Sequence, residues 1–84
     1  MNVNEKTVRV YSKPNCNGCV ATKRRLTQLG VEFVEEDITT DENMAAAMEL
    51  GYAQAPVVFM GGEHWAGFRP DKIDELVKRL GLED

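Results

Sequence analysis

Thr7-Val8-Arg9-Val10-Tyr11-Ser12-Lys13-Pro14-Asn15-Cys16-Asn17-Gly18-Cys19 carries the chain from a strand into a helix and holds both of its cysteines. Val8 and Val10 alternate with Thr7, Arg9 and Tyr11, the period of a strand over roughly Thr7–Ser12. Pro14 and Asn15 make the following loop. The spacing then predicts a helix from about Asn17 to Leu29. Cys19, Leu26 and Leu29 share one face of it, while Lys23, Arg24 and Arg25 fall mostly outside that face. Gly30 is placed to stop the helix in the left-handed conformation.

The remaining elements follow from the same periodicities. A second strand is expected at about Val31–Asp37, with Val31 and Phe33 on one side. Thr40 caps a second helix whose first turn holds Asp41 and Glu42, the charge the helix dipole prefers. Met44, Ala47 and Met48 give that helix an inward stripe, and Gly51 ends it. Val57–Met60 and Glu63–Ala66 flank Gly61-Gly62, a two-residue hairpin signal. Pro70 suits the first position of a last helix, in which Ile73, Leu76, Val77 and Leu80 form the apolar stripe before Gly81. The order is β-α-β-α-β-β-α. It predicts an α/β fold with a parallel pair, an added antiparallel hairpin and helices on the faces of one four-stranded mixed sheet.

Length and composition bound the function. Eighty-four residues make one domain, 1–84, able to bury a core with little margin. A net charge of −4 argues against nucleic acid as a partner. No window approaches the roughly 20 apolar residues of a membrane helix, and Met1–Lys6 has no apolar core of a leader peptide. A cytoplasmic, monomeric protein is expected. In that reducing compartment a C-x-x-C pair is catalytic or metal-binding more often than a structural staple.

The position of the pair suggests its chemistry. Unpaired N–H groups and the positive end of the dipole at a helix start favour a thiolate. Cys16 is there, with Lys13 as a candidate aid, and is expected to be the attacking sulfur. Cys19, a turn deeper, should be the more buried and less acidic thiol, suited to resolve a mixed disulfide. No cofactor is needed for that exchange. The rival reading of the pair is half a metal site. A closed zinc site wants about four ligands, and the chain offers two cysteines and one histidine, His64, so a single-chain site would need carboxylates. A cluster bridged between two copies stays open. His64 reads most simply as a solvated strand residue, Lys23-Arg24-Arg25 as a wet helix face, and Met44, Met48 and Met60 as core filler. The Ala55-Pro56 bond can be trans or cis on these residues alone.

Val10-Tyr11-Ser12-Lys13-Pro14-x-Cys16-x-x-Cys19, with Ala21-Thr22-Lys23-Arg24 after it, resembles the opening of glutaredoxin-like proteins. Ala55-Pro56-Val57-Val58 and Trp65-Ala66-Gly67-Phe68-Arg69-Pro70-Asp71 narrow the resemblance to NrdH-type redoxins, over about residues 7–80. The resemblance implies a thioredoxin-like fold with Pro56 cis. It implies electrons taken from thioredoxin reductase rather than from glutathione, and passed to a disulfide on the large subunit of class Ib ribonucleotide reductase. It makes Lys13, Ala55, Pro56, Val57, Trp65, Phe68 and Arg69 the candidate partner-binding residues, with the Trp65–Asp71 segment shaping the surface below the cysteines through hydrogen bonds. Glutathione-using relatives commonly carry threonine-valine-proline where this chain has Gln54-Ala55-Pro56, and glycine-glycine-x-aspartate before the last helix. The chain departs from the NrdH pattern in Asn17-Gly18 between the cysteines, where an aliphatic residue or methionine and then glutamine are common. It departs again in Ala66, where a serine hydroxyl is usual. A glutathione-dependent glutaredoxin and a metal or iron–sulfur module are the alternative functions.

Overall fold

The computed structural model describes residues 7–81. Along the chain run β1 (Val8–Ser12), α1 (Asn17–Gln28), β2 (Phe33–Asp37), α2 (Asp41–Glu49), β3 (Val57–Met60), β4 (Glu63–Ala66) and α3 (Pro70–Leu80). The order is the one predicted. The Met1–Lys6 stretch, read above for a leader peptide, lies outside the described residues.

The four strands form one sheet in the order β2-β1-β3-β4. β1 is parallel to β2, with Val8 opposite Phe33 and Ser12 opposite Asp37. β3 is antiparallel to both β1 and β4. A parallel neighbour requires a crossover, and α1 supplies it. The hairpin closes at Gly61-Gly62, with Met60 opposite Glu63.

Alternation along the strands divides the core in two. Val8, Val10, Val58, Met60 and Trp65 face Leu26 of α1 and Ile73, Leu76 and Val77 of α3. Tyr11 and Val57 point the other way, into a smaller cluster with Ile38 and Ala47. Tyr11 and Phe59 meet edge to face there, centroids 4.9 Å apart. Helices α1 and α3 thus cover one face of the sheet and α2 the other.

The helix ends follow the predicted chemistry. Thr40 Oγ1 accepts from the Asn43 N–H at 3.1 Å, and Gly81 closes α3 at φ 74°. Two readings are corrected. The strand read from Val31 begins at Phe33, because the Val31 N–H is taken by the Leu26 carbonyl at 2.9 Å in the turn that ends α1. Met48 is not core filler: it is 60% exposed. The inner stripe of α2 runs through Met44, Ala46 and Ala47, and a further step of about 100° around the helix takes Met48 past the sheet into solvent. Among the described residues no helix is long and apolar enough to cross a membrane.

Candidate active site

Cys16 stands immediately before α1 in an extended conformation, φ −121° and ψ 105°, which makes it the N-cap. Its sulfur does what a serine or aspartate oxygen does at other helix starts: Sγ accepts the Cys19 N–H at 3.1 Å. The Cys16 carbonyl accepts the Val20 N–H at 3.1 Å, the first full turn of the helix. Asn15 turns the loop into this start at φ 59°, a conformation asparagine tolerates better than most residues. The two cysteines have Cα atoms 5.2 Å apart, inside the span a disulfide needs, and their sulfurs are within bonding range. Cys16 is half-buried and Cys19 is 1% exposed. The inequality read from the sequence is therefore present in space.

Pro56 lies over the first turn of α1. A Cβ placed on Gly18 would meet its ring. The Ala55-Pro56 peptide is cis, the isomer implied by the family resemblance and left open by the residues alone. On its far side the Pro56 carbonyl accepts the Gly67 N–H at 2.8 Å. This bond prolongs the β3–β4 ladder by one rung and ties the Trp65–Asp71 segment to the proline turn. Within that segment the Arg69 guanidinium grips Asp71 with two bonds, Nε to Oδ1 at 3.1 Å and Nη2 to Oδ2 at 2.9 Å. That contact holds the Asp71 carboxyl below the ordinary aspartate range and the Arg69 guanidinium above its own.

The remaining candidates fall into two groups. Phe68 is 42% exposed, and Lys13 and Arg69 are also on the surface. Val57 and Trp65 are core residues with side chains turned away from solvent. Each sits where strand alternation sends it inward, so a partner could meet only their backbone or the surface they support. Ala55 is half-buried beside the buried Pro56. Lys13 lines a cleft with Ser12, Pro14, Lys23, Glu35, Glu36 and Asp37. That places it beside the end of the parallel pair.

Sequence reasoning missed this end of the sheet. Ser12 is buried, and its hydroxyl donates to Glu35 Oε2 at 2.6 Å. Lys23 of α1 reaches the same oxygen. The Lys23 bond, followed by the Ser12 bond, holds the Glu35 carboxyl below the ordinary glutamate range. Lys23 was read as part of a wet helix face, because nothing in the chain says that a residue 12 positions on lies across from it. His64 is exposed, as expected, but Tyr52 Oη lies 2.8 Å from its Nδ1. Among the described residues no three His, Cys, Asp or Glu side chains gather closely enough to hold a metal ion.

Known proteins match this geometry and sequence. The glutaredoxin family model matches residues 8–65. The glutaredoxin-like protein NrdH of Salmonella typhimurium is 39% identical over 71 residues, 83% of this chain and 88% of that protein. The NrdH protein of Escherichia coli is 40% identical over 72 residues, 82% of this chain and 86% of its own length. The solved structure of NrdH-redoxin from Escherichia coli superposes with a TM-score of 0.75 at 35% identity, over 83% of this chain and 93% of that one. On these matches the chain belongs to the glutaredoxin family as an NrdH-like thiol–disulfide oxidoreductase.

Proposed function

We propose that the protein, acting as one domain over residues 1–84, carries electron pairs in the cytoplasm from thioredoxin reductase to a protein disulfide. The acceptor is the disulfide of the large subunit of a class Ib ribonucleotide reductase. The unequal setting of the two sulfurs supports the dithiol exchange in this reading: one, half-buried at the start of α1, accepts the Cys19 N–H, and the other is enclosed one turn behind it.

In the exchange the Cys16 thiolate attacks one sulfur of the partner disulfide. The partner S–S bond breaks, a bond from Cys16 to the partner forms, and one partner thiolate leaves. The Cys19 thiol loses its proton and attacks Cys16 Sγ. The mixed disulfide breaks, the Cys16–Cys19 disulfide forms, and the second partner thiolate leaves. Two electrons have moved to the partner, whose two thiolates take up two protons. Thioredoxin reductase then returns the electron pair and two protons to Cys16 and Cys19.

The residues around the pair have separate tasks. The Cys19 N–H and the free N–H groups of the helix start favour the negative charge on Cys16. Ala55, with its backbone beside Pro56, holds an extended partner segment. Phe68 and Arg69 extend the contact below it, and Val57 and Trp65 support it from within the core. Lys13 approaches the partner from the cleft side. The name of one relative gives further support, since NrdH-redoxin of Escherichia coli is described by its thioredoxin-like activity profile.

The deciding experiment offers two electron sources to the purified protein: NADPH with thioredoxin reductase, and glutathione with glutathione reductase. Turnover with the first supports the proposal. Turnover with glutathione alone overturns it in favour of a glutathione-dependent glutaredoxin. A metal-bearing protein inert with both would make it a binding module.

A further inference from the structure

Thr22 is fully enclosed on α1, with 0% of its surface exposed. Among the described residues its hydroxyl has no hydrogen-bond partner. A threonine inside a helix ordinarily satisfies its hydroxyl on the carbonyl three or four residues back, here Cys19 or Gly18, and this one does not. A buried hydroxyl left unpaired works against the fold, and valine would fill nearly the same space without that penalty. Arg25 Nε and Trp65 Nε1 are also buried without a partner. Arg25 still reaches Asp74 through Nη2, at 3.3 Å, and Trp65 belongs to β4. Of the three, only Thr22 shares a helix face with a cysteine.

Thr22 follows Cys19 by three residues, and side chains at that spacing are neighbours on a helix, with Cβ atoms about 5–6 Å apart. Cys19, Thr22 and Leu26 are the buried residues of α1, so the sulfur and the hydroxyl share one enclosed face. In the closed pair the Cys19 sulfur is engaged with Cys16, and the Thr22 hydroxyl is left over. Opening that bond frees the sulfur to turn about its Cα–Cβ bond. As a thiol it accepts a hydrogen bond weakly, and as a thiolate, a charged acceptor, strongly. A thiolate at Cys19 needs such a donor, because at 1% exposure almost no solvent reaches it.

We propose that Thr22 is a positioning residue for the resolving step: its hydroxyl pairs with the Cys19 sulfur once the Cys16–Cys19 bond is open, and donates to that sulfur as it becomes the attacking thiolate. This inference rests on the dithiol exchange proposed above and adds the group that supports its second half. Thr22 keeps its own proton. The proton released by Cys19 ends on a partner thiolate, the Cys16–Cys19 bond forms, and the bond from Cys16 to the partner breaks, as in that exchange. When the pair closes, the hydroxyl loses its acceptor. Cys16 does not depend on Thr22, because its sulfur takes the Cys19 N–H at 3.1 Å.

The test uses the full chain, pre-reduced and freed of reductant, mixed rapidly with excess dithiobis-nitrobenzoate. Attack by Cys16 releases one coloured thiolate at a rate that rises with reagent concentration. Attack by Cys19 on the mixed disulfide releases the second at a rate independent of it, and this phase should vanish in Cys19→Ser. In Thr22→Val and Thr22→Ala the first release should stay within about twofold of wild type. The second should slow about tenfold, as expected for the loss of a hydrogen bond to a charged group. Thr22→Ser keeps the hydroxyl and should restore the second release to within about twofold. Thr27→Val, on the exposed side of the same helix, should match wild type in both phases. The disulfide form of Thr22→Val should melt no lower than that of wild type, since an unpaired hydroxyl gives way to an apolar group of like shape. An unchanged second phase in Thr22→Val and Thr22→Ala, equal slowing of both phases, failure of Thr22→Ser to restore the second, or a lower melting point for the disulfide form of Thr22→Val overturns the assignment. A wild type that releases only one thiolate sinks the dithiol exchange itself, and the task of Thr22 with it.

Discussion

The Cys19 N–H donates to Cys16 Sγ at 3.1 Å, so the sulfur that attacks is also the atom that caps the helix carrying its partner. Stability and chemistry are joined in one side chain and can be separated by substitution. Cys16→Ser and Cys16→Ala should both lack disulfide reduction. The serine oxygen can still accept the Cys19 N–H, and alanine cannot. Cys16→Ala should therefore be less stable than Cys16→Ser by about 1 kcal/mol, a difference of roughly 4–8 °C in Tm for a domain of this size. Calorimetry of the two variants under reducing conditions measures it, and equal melting points would remove the cap.

Cys19→Ser leaves the half-buried Cys16 sulfur in place and removes the one that resolves. The variant should accumulate a covalent adduct with a disulfide-bearing partner, visible as a mass shift that dithiothreitol reverses. In the wild type under acidic conditions, iodoacetamide should label Cys16 before Cys19, because Cys19 is enclosed. Labelling of Cys19 first would contradict the division of tasks.

Glu35 links the sheet end to α1, and its acidity is read in the pH dependence of stability. Its carboxyl is held below the ordinary value by Lys23 first and then Ser12. A group whose pKa is lower in the folded state stabilises the fold above its unfolded value of about 4.3, and the contribution is lost as pH falls through the folded value. Glu35→Gln should therefore narrow the gap between urea midpoints at about pH 6 and about pH 3. The side chain is 45% exposed, so solvent screening should keep the change below about 1 kcal/mol. An unchanged acid limb would show the junction to be without energetic weight.

Leu26 joins α1 to the larger cluster and is fully buried. Leu26→Ala should cost about 2–5 kcal/mol, a large share of the roughly 5–15 kcal/mol that holds a small domain together. Loss of the cooperative thermal transition near physiological temperature is the expected readout. A drop below about 1 kcal/mol would mean that the site collapses around the smaller side chain.

Local rules made much of this molecule legible before any contact was known. The alternation of Val8 and Val10, the Thr40 cap, the Gly61-Gly62 turn and the Ile73, Leu76, Val77 stripe each depend on neighbours within a few residues. All of them recur in the structure. Met48 misled because two inward stripes are open to a nine-residue helix, and only the angle at which it meets the sheet selects one. Thr22 went unnoticed as a buried residue because a hydroxyl on a basic stretch carries no signal of burial. Val57 and Trp65 carried the resemblance to redoxins, yet their side chains proved to belong to the interior, since alternation and partner docking make the same demand for apolar residues.

From its residues alone the chain determined the succession of its elements and the placement of a cysteine pair at a helix start, because capping, periodicity and turn propensity act over a few bonds. Two things waited for tertiary structure: the ring of Pro56 above Gly18, and the meeting of Ser12, Lys23 and Glu35. Each depends on β2 and β3 flanking β1, a strand order that brings together residues far apart in the chain.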